Sequence, residues 1–64
     1  MLKDKIILVT GAGDGIGRSA AISYASEGAT VILLGKTKAK LEKVYDEIEE
    51  HGYPIPSISL INLL

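Results

Sequence analysis

The sequence predicts an α/β fold with a parallel sheet, in the order strand, helix, strand, helix, strand. Three observations carry this. The short runs Ile6–Val9, Val31–Leu34 and Ile58–Ile61 are apolar on both faces, which suits a parallel sheet covered on both sides. Two segments between them have helical spacing, and Gly or Pro stands at the boundaries of the runs.

Ile6-Ile7-Leu8-Val9 is rich in β-branched residues and stops at Thr10-Gly11. The first helix runs from about Gly15 to Glu27, with Gly28 as its left-handed cap. Its Ala20, Ala21 and Ala25 are small enough to bring the helix axis close to a sheet. Val31-Ile32-Leu33-Leu34 stops at Gly35. The second helix runs from about Thr37 to His51 and ends at Gly52. Its Leu41, Val44, Tyr45 and Ile48 fall at i, i+3, i+4 and i+7, forming one apolar face. Pro54 and Pro56 introduce the third run. Right-handed crossovers place both helices on one face of the sheet. The other face, and the free edge of the first strand, are then expected to be bare.

A chain of 64 residues is at most one small domain with a thin core. With no Cys, neither a disulfide nor a Cys-based zinc site reinforces it, and no metal site is expected. Hydrophobic content of 47% and a mean hydropathy of +0.27 exclude a disordered tail. Seven Lys and Arg against eight Asp and Glu argue against a nucleic-acid or membrane-surface partner. No apolar run approaches the roughly 18 residues of a membrane span, and Ile6–Val9 is too short for a signal-peptide core. A cytoplasmic location is expected. The bare face and thin core together suggest a truncated product or fragment of a longer domain.

Four of the seven glycines lie in Thr10-Gly11-Ala12-Gly13-Asp14-Gly15-Ile16-Gly17, between the first strand and first helix. Amides at such a helix start, beside the positive end of the helix dipole, form an anion site suited to a pyrophosphate. A Walker loop fails at Ala12 and Arg18, and G-x-G-x-x-G fails from both Gly11 and Gly13. The pattern T-G-x-x-x-G-x-G fits, on Thr10, Gly11, Gly15 and Gly17. A Cβ at Gly15 or Gly17 is expected to block approach of the backbone to the phosphates.

Thr10-Gly11-Ala12-Gly13-Asp14-Gly15-Ile16-Gly17-Arg18 resembles the cofactor loop of the short-chain dehydrogenase/reductase family. Gly28-Ala29-Thr30-Val31-Ile32-Leu33-Leu34-Gly35-Lys36 is similar to the second strand of its bacterial YciK-type oxidoreductases. The resemblance spans residues 1–64 but only the N-terminal quarter of a typical member of about 250 residues. It implies the N-terminal βαβαβ portion of a Rossmann-like doubly wound parallel sheet. It also implies cofactor-loop glycines at Gly11, Gly15 and Gly17, and the candidate cofactor site as a whole is Gly11, Gly13, Asp14, Gly15, Ile16, Gly17, Lys36, Asn62 and Leu63. There Ile16 would lend its backbone to the pyrophosphate, and Asn62-Leu63 would lie at the adenine, where relatives more often have Asp-Leu.

Cofactor choice turns on the end of the second strand. NAD enzymes usually place an acidic residue there for the ribose 2′-hydroxyl, whereas this chain has Gly35-Lys36-Thr37-Lys38. Lys36, Lys38 and Lys40 crowd the start of the second helix and Asp46, Glu47, Glu49 and Glu50 its end, against the dipole at both ends. This favours NADP over NAD, with Lys36 near the 2′-phosphate. Against it stand Asp14, where many NADP-binding relatives carry a base, and the offsetting i,i+4 pairs Lys38–Glu42 and Lys43–Glu47.

Chemistry in the family uses a Tyr four residues before a Lys, with a Ser polarising the carbonyl. Tyr24, Tyr45 and Tyr53 are followed at that spacing by Gly28, Glu49 and Ser57, so no catalytic residue is assigned. Tyr45 reads as core, and His51 as support for a helix C-terminus. The resemblance implies hydride transfer between a nicotinamide cofactor and a carbonyl or alcohol, with this chain inactive alone. A small-molecule substrate and a homo-oligomer are expected only at full length. A stand-alone nucleotide-binding module and a non-catalytic interaction fragment stay open.

Overall fold

The computed structural model describes residues 1–61. Strands β1 (Ile6–Thr10), β2 (Thr30–Gly35) and β3 (Ser57–Leu60) alternate with helices α1 (Gly15–Ser26) and α2 (Lys38–Glu50). They form one parallel sheet in the order β1-β2-β3. The expected elements are all present, each with ends shifted by no more than a residue or two. Gly28, at φ +97°, follows the C-cap of α1 as anticipated.

Register divides the sheet into two unlike faces. Ile7 pairs with Val31, and Val9 pairs with Leu33, which pairs in turn with Ile58. These side chains point toward the helices. Ala21 and Ala25 of α1 and Leu41, Val44 and Ile48 of α2 close over them, and all five are almost fully buried. The alanines let α1 lie close on β1 and β2, as their size predicts, while α2 covers β2 and β3. Tyr45 is half-buried against this core, as its place on the apolar stripe predicts.

Among the described residues the opposite face is bare. Leu8 lies beside Ile32, and Ile6 and Leu34 extend the same strip; Ile6 is 72% and Leu8 56% exposed. Over β3 this face differs from the expectation of a run apolar on both sides. Ile32 faces Ser57 and Leu34 faces Ser59, so the apolar strip ends at β2. A third strand at the edge alternates because only its helix-facing side chains meet a core.

The helices are also joined by charge. Arg18 of α1 donates to Glu47 of α2, with its Nε 3.0 Å from Oε1. That contact displaces the expected Lys43–Glu47 pair, and among the described residues no ion pair joins Lys38 to Glu42. The packing of α1 on α2 brings a guanidinium with two donors to Glu47, which a lysine on the same helix cannot match. The exposed position limits the pair to about 1 kcal/mol at most.

His51 is the C-cap of α2, and its Nδ1–H donates to the Glu47 carbonyl over 2.7 Å while its ring stacks on Tyr53. It satisfies a helix end, as its position suggests.

Candidate functional site

A parallel β-α-β chain brings both helix N-termini to the same end of the sheet, beyond the C-terminal ends of the strands. Here the turn after β1 and the segment after β2 enclose a cavity of about 300 Å³. Gly11, Gly13 and Asp14 form one wall, and Lys36, Thr37 and Lys40 the other. Gly35 and Leu41 close its base, where a Cβ on residue 35 would stand 3.1 Å from Leu41 Cδ2. Ile61 lines the remaining side and its amide donates to the Gly35 carbonyl over 2.8 Å.

The turn leaves donors free. The first amide of α1 with a helical acceptor is that of Arg18, 3.1 Å from the Asp14 carbonyl. Asp14 sits at the N-cap with extended backbone, yet its carboxylate makes no capping bond. Among the described residues, the amides of Gly15, Ile16 and Gly17 therefore meet no acceptor. Thr37 likewise leaves the start of α2 without a side-chain cap. Two uncapped helix starts at one end of a sheet make it strongly receptive to anions.

The glycines divide by purpose. Gly15 has φ +43° and nothing within 4 Å of where a Cβ would stand, so its constraint is backbone conformation and open access. Gly17 is different. A Cβ there would lie 2.1 Å from the Gly11 carbonyl oxygen, so it meets the chain's own turn before it meets any ligand. At residue 13 a Cβ would lie 2.8 Å from Lys40 Cβ, which makes Gly13 the point where the turn rests on α2.

A second concavity, an open groove of about 690 Å³, runs along the free edge of β1 and past Gly15, Ile16 and Gly17 to Tyr24. Gly11 and Asp14 belong to both, so the turn stands between cavity and groove. Of the residues expected in the site, Gly11, Gly13, Asp14 and Lys36 line the cavity, and Gly15, Ile16 and Gly17 line the groove. Asn62 and Leu63 lie outside the described residues.

Of the three lysines at the start of α2, Lys36 and Lys40 line the cavity and Lys38 does not. Lys40 Nζ donates to Asp14 Oδ1 over 2.9 Å. Among the described residues Lys36 has no ion-pair partner, which leaves its charge available. Sequence reasoning did not place Lys40 in the site, although it flagged the helix end. Its opposition to the dipole was the signal. Among the described residues no group of His, Cys, Asp and Glu is suited to a metal ion, and no helix is long and apolar enough to cross a membrane.

A sequence profile of the family described as short chain dehydrogenase matches residues 5–60. The chain belongs to the short-chain dehydrogenase family. The uncharacterized oxidoreductase YciK of Escherichia coli (strain K12) is 53% identical over 64 residues, which is 100% of this chain and 25% of that protein. A short chain dehydrogenase from Shigella flexneri 2a strain 301, solved in complex with NADP, is 54% identical with a TM-score of 0.91. That match covers 98% of this chain and 26% of the Shigella chain. A short chain dehydrogenase from Escherichia coli CFT073, solved with NADPH, is likewise 54% identical with a TM-score of 0.91, over 98% of this chain and 26% of its own. This member of the family thus spans about a quarter of the length of the relatives it matches. Its strands and helices are those of the Rossmann-like short-chain dehydrogenase fold.

Proposed function

We propose that residues 1–64 form the N-terminal dinucleotide-binding segment of a short-chain oxidoreductase, and that the segment takes NADP in preference to NAD. The observation that carries this is the turn between cavity and groove, with amides at its crest and Lys36 on the cavity wall that have no partner among the described residues. The cavity suits an adenosine, the amides of Gly15, Ile16 and Gly17 a pyrophosphate, and the groove along β1 the nicotinamide half. Lys36, at the end of β2, takes the position from which an acidic residue would otherwise read the ribose 2′-hydroxyl. The complexes of the Shigella and Escherichia coli relatives with NADP and NADPH support the same preference.

When bound, the cofactor supplies or accepts a hydride, and the substrate class is a carbonyl or alcohol. The role of this chain is to bind and orient the cofactor. Its three tyrosines have no lysine four residues on, so it carries no such pair to move a proton to the substrate oxygen. A binding module without turnover is the second reading, on that same observation. Cytoplasmic location and homo-oligomeric assembly belong to the proposal for the longer protein.

Lys36→Asp tests the cofactor choice. The substitution removes a phosphate partner and offers the 2′-hydroxyl an acceptor. The ratio of NADP to NAD affinity, measured by calorimetric titration, is expected to fall by at least about tenfold, a difference of about 1.4 kcal/mol. An unchanged ratio would make Lys36 a surface charge only.

A further inference from the structure

Asp14 presents an inconsistency at the N-terminus of α1. Aspartate is among the best N-cap residues, and this one has the extended backbone of a cap, φ −134° and ψ 145°. Its carboxylate nevertheless leaves the helix amides alone and bonds Lys40 on the other helix over 2.9 Å. Both side chains are largely exposed, 73% for Asp14 and 52% for Lys40, so the ion pair adds little stability by itself. Lys40 is placed for it by packing. Gly13, which precedes Asp14, lets the turn close onto the Lys40 stem, where any Cβ would come within 2.8 Å. Arg18, one turn further along α1, is already held by Glu47.

We infer that Lys40 is a positioning residue that holds the Asp14 carboxylate away from the start of α1, leaving the amides of Gly15–Gly17 free for the phosphates of a nucleotide. This rests on the dinucleotide-binding reading above. Without the ammonium group, the carboxylate turns back to accept from the amide of Ile16 or Gly17, its ordinary capping bond. It then occupies the donors and places a negative charge where a phosphate belongs. Lys40 therefore promotes anion binding without touching the pyrophosphate, and its charge also offsets that of Asp14 on the cavity wall.

The test uses the 64-residue chain and ADP, which carries a pyrophosphate but neither a 2′-phosphate nor a nicotinamide. Binding is measured by calorimetry for the unsubstituted chain, Lys40→Gln, Asp14→Ala and the double variant. Because both side chains are exposed, circular dichroism is expected to be the same for all four. Lys40→Gln is expected to weaken ADP binding about fivefold to tenfold while leaving the thermal midpoint unchanged or raised, because the helix gains a cap. Adding Asp14→Ala is expected to restore the affinity. A double variant as weak as Lys40→Gln would overturn the inference, since Lys40 would then act on the ligand directly. Undiminished affinity in Lys40→Gln would overturn it also. An unsubstituted chain that binds no ADP would overturn the dinucleotide reading and this inference with it.

Discussion

Gly17→Ala is expected to unfold the turn after β1 even when no nucleotide is present. The added methyl would stand 2.1 Å from the Gly11 carbonyl oxygen and 3.0 Å from that of Thr10, both backbone atoms at the end of the strand. Relief requires moving either β1 or the first turn of α1, at a cost of about 3 kcal/mol or more, beyond ordinary overpacking. For a 64-residue domain that is comparable to its whole margin. Circular dichroism and thermal unfolding without ligand would record the loss. Gly15→Ala provides the contrast, because its Cβ meets nothing and only the φ of +43° is strained. It is expected to cost about 1–2 kcal/mol and to leave the fold intact. If Gly17→Ala folded as well as Gly15→Ala and lost only affinity, the glycine would serve the ligand rather than the turn.

The 64-residue chain alone is expected to fold but to self-associate, and to be inactive in hydride transfer. Ile6 and Leu8 face solvent beside Ile32 and Leu34, and β1 has one edge without a strand partner among the described residues. Contiguous apolar side chains next to an open strand edge favour association. Sedimentation is expected to show oligomers that Leu8→Lys shifts toward monomer, with the dissociation constant rising at least about tenfold per charge introduced. A monomeric, cooperative unfolding transition together with measurable turnover would contradict both expectations.

Most of the fold was legible because its signals are local. The Gly28 cap, the alanines of α1 and the Leu41, Val44, Ile48 stripe each act within a turn or two of helix, and the helices follow them. Single-sidedness followed from the hand of the crossovers. The polar side of β3 was less legible, since a run with one serine between apolar residues does not reveal that its strand lies at an edge. In the site, the glycine spacing located the turn, but spacing alone does not separate Gly17, which makes room for a carbonyl, from Gly15, which stays open. Nor does it show that Lys40 reaches Asp14 from 26 residues away or that Arg18 captures Glu47. Those pairings depend on how two helices lie against each other, which a one-dimensional pattern does not contain.

Among the described strands, β2 alone is hydrogen-bonded on both edges. Its Val31 and Leu33 side chains are fully buried, whereas β3 has four residues and mostly exposed side chains. Fluctuations that open a domain in parts begin with the elements holding the fewest buried contacts. Peeling of β3 would then take the Ile61 side of the cavity with it, while Gly35, Lys36 and the glycine turn stay anchored through β2 and β1. The molecule thus has a durable phosphate-facing half and a labile outer wall. Solvent hydrogen would reach the amides of Ile58 and Ser59 well before those of Ile32 and Leu33, and a seated nucleotide would slow that leakage from outside inward.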